Sequence, residues 1–263
     1  MDKAYYLEYF ALEREHWWFR ARAAILMSHL RRTLGPSGNE LRILNVGAAT
    51  GRSSELLRQF GQVTSVEYDA GCCSLARKQT GLEMLQASIT QLPFPSDTFD
   101  LVCSFDVIEH VEDDLTAVAE LHRVCRRNGL VSVTVPAFMF LWSQHDDVNH
   151  HCRRYTGGQL RRLMATAGAL TVFHSYFNFW LFFPIAAFRM FRWLLPSRPK
   201  DSSPKDCSPK DSSKDAGSDF FAIRNTLLDK VFYAIFRSEE PLIRWGVRFP
   251  VGVSILSTWR KPA

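Results

Sequence analysis

Two glycines, Gly47 and Gly51, follow a short apolar run and precede a segment typical of a helix. The run Leu41–Val46 is typical of a buried parallel strand. A strand, a glycine turn and a helix in this order form a nucleotide-type ligand site at the carboxyl end of a sheet. Gly47 permits a sharp turn, and Gly51 lets the backbone approach a ligand without an intervening Cβ atom. The predicted cofactor-binding loop is Gly47, Ala48, Ala49, Thr50 and Gly51.

The spacing of these glycines argues against several nucleotide ligands. The loop lacks the third glycine of G-x-G-x-x-G, which disfavours a dinucleotide such as NAD. It also lacks the Gly-Lys-Ser/Thr of a P-loop, which disfavours ATP and GTP. The alternative to a ligand site is an ordinary tight turn between strand and helix, so the neighbouring residues must decide.

The second predicted strand, residues 63–68, ends with acidic residues about 20 positions after the loop begins. An α/β nucleotide site places a carboxylate there to accept hydrogen bonds from the ribose hydroxyls. We assign this role to Glu67 and place Tyr68 beside the cofactor. Asp69 is the reserve, or it caps the next helix instead. The residues predicted to line the adenine, after the third strand, are Ser88 and Ile89.

The fourth predicted strand leads into a polar run that carries the candidate catalytic residues. Because this run lies at the carboxyl end of a strand, we predict that Phe105 and Asp106 contact the cofactor. A general base assists transfer to a hydroxyl or ammonium group, and histidine is the side chain best suited at neutral pH. A hydrogen-bonded structural role is the alternative for each histidine. The predicted catalytic residues are His110, Glu109 and His150, and further candidates for the base are His145 and His151.

Acidic and histidine residues alternate between positions 145 and 151. A divalent metal could bind the group formed by His145, Asp146, Asp147, His150 and His151, but we assign no metal to the protein. Two arginines follow this group. They could bind an anionic group of the substrate, or pair with the two aspartates. These arginines are Arg153 and Arg154.

Strand-like and helix-like segments alternate along the middle of the chain. This alternation predicts an α/β fold with a doubly wound, Rossmann-like parallel sheet. Basic residues followed by Gly129 mark the end of the third helix of this region. Thr156 is the predicted N-cap of a further helix. The predicted strands are Leu41–Val46, 63–68, 84–87, Phe99–Phe105, 130–135 and 170–177, and the helices between them are 53–60, 73–79 and 114–126.

Residues 1–34 are predicted to form one helix, rich in aromatic side chains and arginines. Either this helix packs its aromatic side chains on the domain, or it covers the ligand as a lid. In a lid, Arg20 or Arg22 presents a guanidinium group to a carboxylate. We include Arg22 among the cofactor-binding residues.

Residues 179–195 combine many aromatic side chains with a charge-free stretch that is too short to span a bilayer. Either they form a helical insertion over the active site, or they lie in a membrane interface or accept a lipid tail. Residues 196–218 repeat Pro-Lys-Asp with serines and are predicted to be a disordered linker. An amphipathic helix at 220–236 and a last strand at 252–260 follow.

Composition limits the class of protein and its compartment. The 263 residues are 46% hydrophobic, enough for one large α/β domain. The net charge of +5 is not gathered in one dense run, so no nucleic-acid partner is expected. The six cysteines form no C-x-x-C pair and the N-terminus has no apolar signal region. We therefore predict a cytoplasmic protein, with the inner face of the membrane as an additional location.

Several motifs in order resemble the class I S-adenosylmethionine-dependent methyltransferases, in a type 11/12-like bacterial subgroup. The segment 44–51, Leu-Asn-Val-Gly-Ala-Ala-Thr-Gly, is similar to the family's Leu-Asp-Val-Gly-Cys-Gly-Thr-Gly motif, and Glu67 matches its acidic second strand. Segments 92–102 and 105–111 continue the pattern, which covers about residues 41–168. The triplet Asp106, Glu109 and His110 also resembles a metal-binding pattern of ubiquinone-biosynthesis O-methyltransferases.

The resemblance implies S-adenosyl-L-methionine as cofactor, a seven-stranded sheet with an antiparallel last strand, and methyl transfer to a small-molecule or lipid-like acceptor, with O-methylation expected. Asn45 replaces the family's Asp and Ala49 replaces its middle Gly. The alternatives are an NAD-dependent oxidoreductase and a catalytically weak binding or scaffold protein. The predicted divisions are an N-terminal cap (1–35), the core (36–178), the aromatic insertion (179–195), the linker (196–218) and a C-terminal helix with the closing strand (219–263).

Overall fold

The computed structural model describes residues 3–35, 40–194 and 227–263. Seven strands form one sheet in the order β3-β2-β1-β4-β5-β7-β6. Strand β7 runs antiparallel to both of its neighbours, as the resemblance implied. The strands are β1 (Leu41–Val46), β2 (Gly61–Glu67), β3 (Leu85–Gln86), β4 (Phe99–Phe105), β5 (Cys125–Pro136), β6 (Leu170–Phe177) and β7 (Ser254–Arg260).

Helices cover both faces of this sheet. Helices α2, α9 and α10 pack together on one face, and α5 and α7 contact each other on the opposite face. The described helices are α1 (Lys3–Glu15), α2 (Trp17–Leu34), α3 (Arg52–Leu57), α4 (Ala70–Thr80), α5 (Asp114–Val124), α6 (Gln144–Val148), α7 (Gly157–Thr166), α8 (Phe179–Leu194), α9 (Leu227–Arg237) and α10 (Glu239–Trp245).

Side chains that alternate along the central strands supply the two layers of the core. On β1, Leu44 packs in one layer and Ile43 in the other. On β4, Val102 and Leu101 divide in the same way. Trp259 of β7 is fully buried. Because these strands are covered on both faces, they read as continuous apolar runs, which is why their positions were predictable.

Local capping groups fix where the helices begin. Thr156 caps α7 together with Gln159, as predicted, since each side chain bonds the other residue's backbone amide. Asp113 caps α5 by accepting from the backbone amide of Thr116 at 2.9 Å. These caps orient the two helices against the sheet.

Several predicted boundaries differ from the structure, and three of them change the description of an element. The single helix predicted at 1–34 is two helices, because His16 adopts an extended backbone and its side chain caps α2. Helix α5 ends at Val124 rather than 126, since β5 begins at Cys125 and includes the basic residues taken for a helix end. The short β3 keeps only two residues of the predicted strand 84–87.

The predicted aromatic segment 179–195 forms helix α8 over its described length. The linker prediction for 196–218, and the start of the helix predicted at 220–236, lie outside the described residues. Within the described ranges, no helix combines the length and apolar character needed to cross a bilayer.

Candidate active site

The glycine loop lies where parallel strands end together. In the register of the sheet, Val46 of β1 faces Val66 of β2 on one side and Ser104 of β4 on the other. The backbone amides of Gly47 and Ala48 both donate to the Val66 carbonyl, at 2.8 and 3.0 Å. These bonds turn the chain sharply at the edge where ligands bind in open α/β sheets.

Gly47 is required by both conformation and packing. Its φ of 72° lies in the left-handed region, and a Cβ atom there would be 2.3 Å from Cγ2 of Val107. Gly51 has a φ of 95° and caps α3. The turn and the helix start therefore depend on these two glycines, as the sequence predicted.

Glu67 holds the loop through its carboxylate. Its Oε2 atom accepts from the backbone amide of Ala49 at 2.8 Å, and Oε1 accepts from that of Asp69 at 3.0 Å. Asp69 caps α4 by accepting from the amides of Gly71 and Cys72, so its helix-capping alternative is confirmed. Glu67 thus lies at the end of β2 beside the loop, where a ribose-binding carboxylate is expected.

The other predicted cofactor residues occupy different environments. Tyr68 is 75% exposed, whereas Phe105 and Ile89 are buried in the two core layers. Ser88 shares a hydrogen bond with the Thr90 hydroxyl at 2.8 Å. The core packing of Phe105 and Ile89 means that their side chains support the site from behind.

Helix α1 attaches to the loop and to the start of α4. The Tyr6 hydroxyl donates to Asp69 at 3.0 Å, and the Thr50 hydroxyl donates to Glu13. Arg14 forms an ion pair with Glu55 of α3 at 2.5 Å. Burial raises the pKa of Glu13 to about 7. Neither Tyr6 nor Glu13 was predictable as a site residue from the sequence, because their partners lie more than 30 residues away.

Arg22 reaches the end of β4. Its guanidinium contacts Asp106 Oδ2 at 2.6 Å and donates to the Thr134 hydroxyl at 2.8 Å. The Thr134 hydroxyl in turn donates to Asp106 at 2.8 Å. Arg20, the other candidate, lies over the Tyr233 ring. The N-terminal segment therefore both packs on the domain and places one arginine at the site.

A second group of polar side chains lies just beyond β4. Glu109 is fully buried in a 3-10 turn, Ile108–His110. Burial, and then the charge of Asp106, raise the pKa of the Glu109 carboxyl. Although His110 remains exposed to solvent, desolvation of its ring by the surrounding protein atoms, and then the neighbouring His151, lower the pKa of His110 to about 4. At neutral pH His110 is therefore an uncharged and weak base.

Asp146 organises the loop that faces this group. It accepts from His151 Nδ1 at 2.8 Å and from the Arg154 Nε and Nη2 atoms at 2.8 and 3.0 Å. Burial alone raises the pKa of Asp146, but the hydrogen bonds from His151 and Arg154 outweigh it and hold that pKa well below its usual range. Arg153 pairs with Asp114 at 2.8 Å instead. The pairing alternative for Arg154 is thus confirmed.

The five residues predicted as an alternative metal group do not converge. Glu109, His110 and His151 instead place their ligand atoms within 4.8 Å of one another. His150 is exposed and its φ is 55°, so the backbone turns between His150 and His151. Among the described residues, the structure brings His151 rather than His150 into the cluster.

Three comparisons relate this chain to known proteins. Residues 44–133 match a family described as a methyltransferase domain. A Mycobacterium tuberculosis protein named "Probable S-adenosylmethionine-dependent methyltransferase" is 30% identical over 165 residues, and the match spans 61% of this chain and 58% of that protein. The phosphatidylethanolamine N-methyltransferase of Cereibacter sphaeroides is 32% identical over 99 residues, 35% of this chain and 49% of that enzyme.

A solved structure shares the fold. The phosphoethanolamine N-methyltransferase 2 of Haemonchus contortus, in complex with S-adenosyl-L-methionine, superposes with a TM-score of 0.55 at 14% identity, covering 90% of this chain and 52% of that chain. At this identity the likeness concerns the fold alone. The chain spans about three fifths of the first mycobacterial relative, 58% of its length.

Proposed function

We propose that this protein transfers a methyl group from S-adenosyl-L-methionine to a small or lipid-like acceptor, at an oxygen atom; the match of residues 44–133 to a methyltransferase-domain family supports this proposal. The observation that carries the proposal is the loop itself, whose Ala49 amide bonds Glu67 at the common end of β1 and β2. A carboxylate in that position fits a cofactor that carries a ribose. The loop's missing third glycine disfavours NAD.

The protein's own residues would bind, orient and enclose the reactants. The cofactor supplies a methyl group that is already activated. Glu67 would accept hydrogen bonds from the ribose hydroxyls of the cofactor. Arg22, which reaches the end of β4, would orient a carboxylate of the cofactor or of the acceptor. Glu13 holds α1 against the loop and Tyr6 holds it against the start of α4, which helps to exclude water. Alignment of this kind lowers the activation free energy by up to about 7–11 kcal/mol.

Catalytic roles for Glu109, His110 and His150 belong to this proposal. Glu109 and His110 follow β4 directly, next to Asp106, and so lie beyond the predicted cofactor residues on the acceptor side. His150 is exposed, where it can meet only a substrate that projects from the site.

The lipid-like acceptor is supported by the surface of α8. Every exposed side chain between residues 179 and 191 is apolar, and Arg189 is only partly exposed. Helix α9 packs beside α8 and adds further exposed apolar side chains with one lysine. The exposed large residues of α8 are Trp180, Phe183, Phe188, Met190 and Phe191. Such a face is suited to the interface of a bilayer at its cytoplasmic side.

The methyl-transfer proposal is tested by incubating the purified protein with methyl-labelled cofactor and separate lipid, quinone and polar extracts. We expect label in a single lipid-soluble product, in an ether or ester linkage identified by mass spectrometry. Label in an N-methylated product would overturn the choice of oxygen. The absence of enzyme-dependent label in every extract would overturn the activity.

Flotation with phosphatidylcholine and phosphatidylglycerol vesicles tests the membrane surface. We expect the wild type to float with the vesicles and a Phe183→Asp, Phe188→Asp variant to stay behind. A Leu115→Asp variant is the control, because Leu115 is 54% exposed on α5, away from this surface. Equal partitioning of the wild type and the double variant would contradict membrane contact.

A further inference from the structure

The cluster beyond β4 contains a carboxylate without a partner. Glu109 is 0% exposed, and no donor from another described residue reaches its Oε1 or Oε2 atom. Burying a carboxyl group without hydrogen bonds is costly unless it is neutralised or binds a cation. His110 and His151 approach it so that one ligand atom from each of the three residues lies within 4.8 Å of the others.

The two imidazole rings are oriented from behind. His151 shares its Nδ1 with Asp146 at 2.8 Å, which leaves the lone pair of Nε2 available. The His110 ring interacts with the backbone of Asn149, and one of its two nitrogens is the candidate ligand atom. The ring centroids lie 4.6 Å apart in an edge-to-face arrangement. Histidines that bind metals almost always donate their second nitrogen to a carboxylate or a carbonyl in this way.

We propose that Glu109, His110 and His151 bind a divalent transition-metal cation of the zinc class. Two imidazoles and one carboxylate are a ligand set that such cations prefer. Three protein ligands also leave a coordination position open, which is the arrangement of catalytic rather than structural sites.

This ligand set differs from the triplet that the sequence suggested. Asp106 is not part of the cluster, because its two oxygens contact Arg22 at 2.6 Å and Thr134 at 2.8 Å. His151 takes its place from a loop more than 40 residues along the chain. The role of Asp146 is to position His151, and Arg154 holds Asp146 in turn.

A cation in this position would deepen the proposed function, on which this step rests. It would supply positive charge beside the acceptor and favour loss of a proton from an acceptor hydroxyl to water. His110 then does not need to act as a general base, because its lone pair binds the cation. Cation binding itself can be measured with neither cofactor nor acceptor present.

The test is a calorimetric titration of the chelator-treated full chain with Zn²⁺, followed by absorption spectroscopy with Co²⁺. We expect one site, and visible Co²⁺ bands typical of nitrogen and oxygen ligands. His151→Ala and Glu109→Gln should each weaken binding at least about tenfold, and Asp146→Asn about 10- to 100-fold. His122→Ala is the control, because His122 lies on α5 outside the cluster.

Two outcomes would overturn the cation site. One is no saturable binding by the wild type; the other is equal weakening by His122→Ala and His151→Ala. If Asp146→Asn fails to fold, judged by circular dichroism, His110→Gln replaces it. If Glu109 is simply protonated, Glu109→Gln will be stable and the wild type will bind no metal. A separate titration with S-adenosyl-L-methionine distinguishes this failure from failure of the proposed function.

Discussion

At the scale of single residues, the loop departs at two positions from the motif of the methyltransferase family that it resembles, with different consequences. Asn45 donates from Nδ2 to the hydroxyls of Ser53 and Ser54, both at 2.8 Å. It therefore ties β1 to the start of α3, behind the loop. Ala49 stands where the family has glycine, and its φ is 49°, in the left-handed region. A non-glycine residue in that conformation costs roughly 1–2 kcal/mol.

Replacing Ala49 by glycine should therefore stabilise the protein. Relief of the left-handed backbone outweighs the added entropy of the unfolded chain, for a net gain of about 0.5–1 kcal/mol. Urea unfolding measures this change. Ala48→Gly is the matched control: Ala48 is fully buried and is not among the positive-φ residues, so its replacement should destabilise. Equal destabilisation by both changes would contradict a strained Ala49.

At the scale of elements, two carboxyl groups, the half-buried Glu13 and the fully buried Glu239, attach helices to the rest of the domain. Glu13 joins α1 to the cofactor loop through Thr50. Glu239 is fully buried at the start of α10 and accepts from the backbone amides of Asn178, Phe179 and Trp180 at 2.7, 2.8 and 3.2 Å. It therefore caps the first turn of α8 from another element.

Attachment of α1 should depend on pH through Glu13. Its pKa is raised from 4.5 to about 7 in the folded protein. The contribution of Glu13 to the free energy of unfolding is therefore complete below pH 4.5 and is lost as the pH rises through 7. Arg14, Arg22 and Glu55 are the charged groups that act on it.

The difference in unfolding free energy between wild type and Glu13→Gln, measured in urea from pH 5 to 8, isolates this effect. The wild type should lose stability relative to the variant with rising pH, by no more than about 1.4 kcal/mol per unit. Glu15→Gln is the control, since Glu15 is exposed on the same helix. A difference that stays constant with pH would show that Glu13 titrates normally.

Removal of the Glu239 cap should loosen α8. Glu239→Ala leaves three backbone amides without this acceptor, so we expect a loss of about 1–3 kcal/mol in unfolding free energy. Chemical denaturation measures it, with Glu112→Ala at an exposed position as control. A loss equal to that of the control would mean that the cap contributes nothing to stability.

At the scale of the whole molecule, much of the fold was predictable because each central strand is short, apolar and bounded by turn residues. The central strands Leu41–Val46 and Phe99–Phe105 were placed correctly for this reason, and the edge strand Leu170–Phe177 was placed correctly as well. The antiparallel β7 followed only from the resemblance. Local pattern could not find the break at His16, because histidine is not among the residues that usually cap a helix.

The candidate site was predictable where its residues lie at or just after the end of a strand, as at Gly47, Glu67 and Asp106. It was not predictable where distant segments meet. The choice of His151 over His150 depends on a backbone turn with φ of 55°, and the contacts of Glu13 depend on how α1 docks. The only sequence pattern that indicated an ordered loop before His151 is the capping pair Ser143 and Asp146 at the start of α6.

Calorimetric titration of the full chain with S-adenosyl-L-methionine tests the central claim most directly. We predict saturable binding at one site per chain. Glu67→Gln should weaken that binding about tenfold or more, because a hydrogen bond to a charged acceptor contributes about 1.5–3 kcal/mol. NAD should give no heat of binding. Absence of binding by the wild type, or saturable binding of NAD in its place, would contradict the account.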